Sequence, residues 1–214
     1  MTEPRVLVLL RHGQTSWNAE QRIQGQLDSS LDDVGRAQSK AAAAVIARHR
    51  PAVVWSSDLR RARETAEYVA EAAGVEVRTD PRLREYHLGA FEGRTYAEVA
   101  GSDPGAVERF RAGDFSVPDG ESAEVVGERM GAVIGELLAA TPPGRTAVAV
   151  SHGAAIRAGI AAALGWGPEL GHTLDTLRNC SWAVLAQRHD GGALRLRSYN
   201  RDAPPDFVPP GPVG

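Results

Sequence analysis

Val6-Leu7-Val8-Leu9-Leu10-Arg11-His12-Gly13 and Thr146-Ala147-Val148-Ala149-Val150-Ser151-His152-Gly153 are two unbroken apolar runs, each ending in a histidine followed by glycine. A short apolar run rich in β-branched residues reads as a strand covered on both faces, as in a parallel sheet. Ala52 to Trp55 and Val75 to Arg78 read as two further strands. Helical patterns lie between them. Asp32 caps a helix with Val34, Ala37, Ala41, Ala44 and Val45 on one side, ending near His49. Asp58 opens a second helix that runs to Ala73 and is closed by Gly74. Ser122 to Ala140 forms a third, broken by Pro142-Pro143-Gly144, and Gly153 to Leu164 a fourth. Trp182 to Gln187 and Leu194 to Tyr199 flank Asp190-Gly191-Gly192, a hairpin signal.

Working outward, strands alternate with helices, which predicts an α/β fold: a three-layer sandwich whose mostly parallel central sheet is flanked by helices. Residues 14–31 are polar and read as loop. Residues 81–121 carry only short helical pieces between Gly, Pro and Asp. The expected organisation is one domain over 1–201, with about 86–121 as a lid-like insertion and 202–214 as a Pro-rich tail.

The chain has 214 residues, 43% apolar and 24% charged, with a net charge of −3, the balance of a soluble globular domain. That charge supplies no global field for nucleic acid or an anionic membrane, so any anion site must be built locally from a few arginines. No run approaches the roughly 18 apolar residues of a membrane span, and Val6 to Leu10 is too short for a signal-peptide core. The single cysteine, Cys180, cannot form an intrachain disulfide and reads as a packed small apolar group. Cytoplasmic location is the expectation.

In open α/β sheets, ligands bind beyond the carboxyl ends of the strands. Those ends deliver Arg11-His12-Gly13, then Ser56-Ser57 with Arg61 one helical turn on, then Ser151-His152-Gly153. Two imidazoles and two guanidiniums meeting there would make a site for a tetrahedral anion. Glycine after each histidine lets the backbone come close to a ligand. A neutral imidazole can attack phosphorus, and the second can donate to a phosphoryl oxygen. No Asp/Glu cluster with metal spacing accompanies them, so neither metal nor cofactor is expected. Pattern alone does not choose among Arg60, Arg61 and Arg63.

Leu10 to Asn18 resembles the RHG signature of the histidine phosphatase (phosphoglycerate mutase-like) superfamily. The likeness continues through Gln24-Gly25, Leu31, Gly35 and Gln38, then Ser56 to Ala66, Leu83 to Gly93 and Ser151-His152-Gly153. The resemblance implies a phosphoglycerate mutase-like fold and a catalytic set of His12, Glu85, His152, Arg11 and Arg61. His12 would become phosphohistidine. Arg11, Arg61 and His152 would hold the phosphoryl oxygens. Glu85 would protonate the leaving alkoxide and then take a proton from water. Asn18 and the Gly153 N–H would add phosphate donors, and Gln24, Arg22 and His87 would lie along the leaving group.

The superfamily contains hydrolases and 2,3-bisphosphoglycerate-dependent mutases. Mutases resemble one another in a longer insertion between the acid and the second histidine, and in an acidic residue and Ser where this chain has Gln14-Thr15. Both departures favour hydrolysis of a small phosphorylated metabolite. Residues 11–18, 22–28 and 83–93 are similar to the branch that dephosphorylates glycosylated phosphoglycerates; broad-specificity and α-ribazole phosphatases are the alternatives. By resemblance alone, a homodimer is allowed.

Overall fold

The computed structural model describes residues 3–112, 114–115, 117–188 and 192–204. The alternation resolves into β1 (Val6–Arg11), α1 (Ser16–Ala19), α2 (Asp33–Ile46), β2 (Pro51–Ser56), α3 (Arg60–Ala73) and β3 (Val77–Thr79). After these come α4 (Tyr96–Ser102), α5 (Pro104–Arg111), α6 (Ala123–Ala140), β4 (Thr146–Ser151), α7 (Gly153–Leu164), α8 (Pro168–His172), β5 (Trp182–Gln187) and β6 (Leu194–Arg201). The sheet order is β3-β2-β4-β1-β5-β6. The first four strands in that order are parallel; β5 joins β1 antiparallel, and β6 joins β5 antiparallel. The mostly parallel sheet and the closing hairpin thus match the sequence pattern. The Asp190-Gly191 turn and the tail beyond Pro204 lie outside the described residues.

The continuous apolar runs have a direct cause. Successive strand residues point to opposite faces. Leu7 and Leu9 of β1 and Ala147 and Ala149 of β4 enter a core shared with α6 and α7. Val8, Leu10, Val148 and Val150 enter a second core shared with α2 and α3. Both faces of the central strands are therefore dry, and no position in them can be polar until the strand ends.

Four local differences from the sequence pattern have physical reasons. Thr15 and Asn18 form a reciprocal capping box that makes α1 inside the expected loop; the third capping residue is Asn rather than the usual acid or Gln. The α3 helix starts at Arg60 because Asp58 is drawn off to pair with Arg84 at 2.7 Å. Gly74, at φ 67°, ends α3 in the left-handed conformation, and the Val75 amide returns to the Ala70 carbonyl. Strand β3 consequently begins two residues later than expected. The five-residue α8, opened by Pro168, has too few apolar positions to show a period. Among the described residues, no helix is long and apolar enough to cross a membrane.

The loop after β1 is seated on α2 by two glycines. A Cβ on Gly13 would stand 2.5 Å from the Gly35 carbonyl oxygen, and one on Gly35 would stand 2.7 Å from the Gln14 amide nitrogen. Gly35→Ala should therefore lower stability by about 2 kcal/mol or more through enforced backbone movement. Gly135→Ala, in α6 with nothing near the added methyl, should raise it by about 0.5–1 kcal/mol. Urea denaturation of the two variants reads both signs.

Candidate active site

The in-register pairing of Leu10 with Val150 and Arg11 with Ser151 makes β1 and β4 end side by side. The His12 amide continues the ladder to the Ser151 carbonyl at 3.0 Å. His12 and His152, so distant in sequence, therefore have ring centroids 5.1 Å apart. Next to β4, β2 ends at Ser56, and the Ser57 amide bonds the Val150 carbonyl at 2.9 Å.

Each imidazole is oriented through one nitrogen. His12 Nδ1 donates to the Gly13 carbonyl at 2.7 Å, which leaves the lone pair on Nε2. His152 Nε2 lies 3.0 Å from the Ser57 hydroxyl, while its Nδ1 is buried with no hydrogen-bond partner among the described residues. Burial holds the His12 pKa well below the usual histidine range, Arg61 and then Arg11 adding to the effect. His152 is lowered the same way, by burial first and then by Arg61, His12 and Arg11. Both rings are thus neutral near pH 7.

Arg11 and Arg61 are held by backbone carbonyls. Arg61 is 1% exposed; it donates through Nη1 to Leu27 at 2.8 Å and through Nη2 to Gly25 at 2.7 Å. Arg11 donates through Nη1 to the Leu177 carbonyl. The Nε of each is buried without a partner among the described residues. Burial brings Arg61 down to about 10 and lowers Arg11, with Glu85 opposing in both cases. Of the three neighbouring arginines, Arg60 pairs with Glu64 at the surface and Arg63 is exposed, whereas Arg61 faces inward beside Ala62, Thr65 and Ala66. The helix face makes the choice that the arginine run conceals.

Glu85 sits against the N-terminus of α7. Its carboxylate accepts from the Ala154 and Ala155 amides at 3.2 and 2.9 Å, and from its neighbour Tyr86 at 3.0 Å. Gly153 lines the same cavity, and its N–H is not among those Glu85 takes. Asn18 Oδ1 accepts from the Thr15 amide and from Asn179 Nδ2, which turns its NH2 outward as a donor.

A cavity of about 440 Å³ joins Arg11, His12, Asn18, Arg22, Gln24, Arg61, Glu85 and Gly153. His152 lies just behind His12, fully buried. Gln24 is oriented by Ser29, and Arg22 by Glu20 and the Gly93 carbonyl. His87 is the exception. It is exposed, its Nδ1 bonds the Asp119 carbonyl at 3.0 Å, and it does not line the cavity. Its expected place along a leaving group is therefore corrected: the 117–121 turn holds it outside. Sequence reasoning missed the aromatic end of the cavity, where Tyr86, Tyr96, Phe110 and Phe115 gather with Trp17 and Leu88. Tyr86, Leu88, Tyr96, Phe110 and Phe115 come from a segment without a period, which gives no sequence signal for a shared face.

Such a site, at the carboxyl ends of a parallel sheet with two guanidiniums and two neutral imidazoles, defines a phosphoryl-binding α/β protein. Residues 7–200 match the family described as the histidine phosphatase superfamily (branch 1). The chain is 41% identical over 190 residues to the glucosyl-3-phosphoglycerate phosphatase of Mycobacterium tuberculosis, covering 85% of each chain. It is 39% identical over 175 residues to a probable phosphoglycerate mutase of Serratia proteamaculans, covering 81% and 80%. The mycobacterial glucosyl-3-phosphoglycerate phosphatase solved with VO3 superposes with a TM-score of 0.85 at 40% identity, over 92% of this chain and 99% of that one. The chain belongs to the histidine phosphatase superfamily, branch 1.

A pH dependence follows from the two neutral rings. Unfolding restores an ordinary histidine pKa near 6.5, so below that pH the unfolded chain binds protons that the folded chain refuses. Stability should fall as pH drops below about 6.5, by up to about 1.4 kcal/mol per pH unit for each ring. Denaturation at pH 7.5, 6.0 and 5.0 should show a steeper loss in the wild type than in His12→Asn/His152→Asn.

Proposed function

We propose that this chain hydrolyses phosphate monoesters of a small metabolite through a phosphohistidine formed at His12. The observation that carries the reading is the tautomer: Nδ1 of a buried, neutral His12 is committed to the Gly13 carbonyl, so Nε2 is a free nucleophile at the cavity. Three nitrogens of the neighbouring site residues are buried without a partner among the described residues: Arg11 Nε, Arg61 Nε and His152 Nδ1. The Ser57 hydroxyl accepts from the Leu59 amide and lies against His152 Nε2; with Ser57 as the donor there, the ring proton sits on Nδ1, facing the phosphoryl group.

The steps follow. Nε2 attacks phosphorus as the ester P–O bond breaks, and Glu85 hands a proton to the departing alkoxide. The two guanidiniums, His152, Asn18 and the Gly153 amide carry the charge on the phosphoryl oxygens. Water then gives a proton to Glu85 as it attacks the phosphohistidine, which releases phosphate and restores His12. Residues 86–121 act as a lid, with α4, α5 and Phe115 supplying the wall against the leaving group. The cavity far exceeds a phosphate ion, and its aromatic end suits the apolar faces of a sugar ring. The similarity to glucosyl-3-phosphoglycerate phosphatases makes a glycosylated phosphoglycerate the substrate of choice. The single buried Cys180, whose thiol burial pushes up to about 11, suits a reducing cytoplasm.

A mutase is the second reading, favoured by the likeness to the probable phosphoglycerate mutases. Phosphate release and interconversion of 3- and 2-phosphoglycerate, measured side by side, separate the two; hydrolysis should dominate. Rapid quench with labelled substrate should trap an acid-labile phosphoenzyme that His12→Ala abolishes, and Arg61→Met should lose on the order of 10²–10³ in kcat. Full activity of His12→Ala with no trapped phosphoenzyme would end the proposal.

A further inference from the structure

Glu85 follows a single 3-10 turn (Pro81–Leu83), and neither that turn nor Arg84 and Glu85 belongs to an α-helix or strand, so the carbonyls here need side-chain partners. Leu83 receives the Ser151 hydroxyl at 2.7 Å. The Arg82, Arg84 and Glu85 carbonyls all converge on one guanidinium, that of Arg129 in α6, 44 residues from Glu85 in the chain. Its Nη1 donates to Arg82 and Arg84 at 2.8 and 2.6 Å, and its Nη2 to Glu85 at 3.0 Å. The remaining Nη2 hydrogen and the Nε hydrogen go to the two oxygens of Glu121, both at 2.8 Å. All five N–H donors of a guanidinium are thereby used.

This occupancy separates Arg129 from Arg11 and Arg61, each of which keeps a buried Nε without a partner. A saturated guanidinium has nothing left for a substrate, and Arg129 does not line the cavity. The Glu85 backbone is gripped on the same side by Gln26, whose Nε2 donates to the Glu85 carbonyl at 3.0 Å and to Glu121 at 3.2 Å. We propose that Arg129, locked by Glu121, is the positioning residue for the acid–base carboxyl: three carbonyls tied to one planar fork set the direction in which the Glu85 side chain leaves the backbone toward the ester oxygen. Lysine cannot replace it, because three donors on one nitrogen cannot reach five acceptors in a plane.

The proposal rests on the reading of Glu85 as the group that protonates the leaving oxygen, and the test distinguishes the two. An alkyl ester such as 3-phosphoglycerate needs that proton; 4-nitrophenyl phosphate expels a stable phenolate without it. The parameter to compare is kcat/KM, which reports only events up to the first irreversible step. Arg129→Lys should lower kcat/KM for 3-phosphoglycerate by about 10-fold or more, and for 4-nitrophenyl phosphate by less than about threefold, a fraction of the effect of losing the acid itself. Placed on top of Glu85→Gln, it should cost nothing further with the alkyl ester, because both changes remove one and the same proton transfer. Glu121→Gln, which loosens the grip while keeping the shape, should show a weaker form of the same pattern and serves if Arg129→Lys does not fold. Equal losses for the two esters, or a loss that persists undiminished in the Glu85→Gln background, would make Arg129 a plain element of the fold and overturn the proposal. If Glu85→Gln itself lowered both esters equally, the acid–base reading would fall, and the role of Arg129 with it.

Discussion

The parallel pairing of β1 with β4 is the constraint on which the site depends. Register sets everything downstream of it, because Arg11 lies opposite Ser151 and the next residue on each chain is a histidine. A slip of one residue would turn Leu7 and Leu9 from the α6–α7 core to the α2–α3 core, exchanging every buried side chain for its neighbour. Two full cores thus hold the strands in place, and the distance between the imidazoles is a consequence of packing many residues away. The chemistry needs no special strand; it needs two ordinary ones whose ends coincide.

What those ends assemble is electrostatically costly. Arg11 and Arg61 are taken out of water, and burial is the largest influence on both. A buried guanidinium loses several kcal/mol of solvation unless acceptors replace the water. The Leu177, Gly25 and Leu27 carbonyls replace part of it, and the field of Glu85 a further part. The balance is left to a ligand that brings negative charge. Glu85 thus faces the two arginines as well as being the proposed proton carrier, and the amides at the start of α7 hold its carboxyl in place. The two histidines stay neutral for the same reason that the arginines are destabilised, burial, to which the charge of Arg61 and Arg11 adds.

The strands, the main helices and the cationic end of the cavity were legible from short contiguous words. A strand end delivers its next residue to the sheet rim whatever the rest of the chain does, so His12, His152 and Arg11 could be placed from local text. Arg61 could be chosen among three arginines only through family likeness, because the direction of a helix face depends on what packs against it. His87 was misplaced for a related reason: its neighbour Glu85 points into the cavity, and the turn at Asp119 draws His87 the other way. The grip of Arg129 on Arg82, Arg84 and Glu85 could not be read at all, since hydrogen bonds to carbonyls leave no trace in residue types.

This contrast bears on how the two ends of the cavity can change. The phosphoryl end is built by register and strand termini, and substitutions there act on charge and geometry that both cores defend. The opposite end of the cavity is an aromatic wall carried by α4, α5 and Phe115, packed edge-on or stacked: Phe110 lies 5.3 Å from Phe115 and 6.0 Å from Phe91. On the proposed reading, replacing these rings changes which alcohol fits more than it moves the phosphoryl donors, which the strand ends and α3 put in place. A single fold can in this way keep one reaction step and vary the ester it acts on, because the two ends of the cavity are built by different parts of the chain.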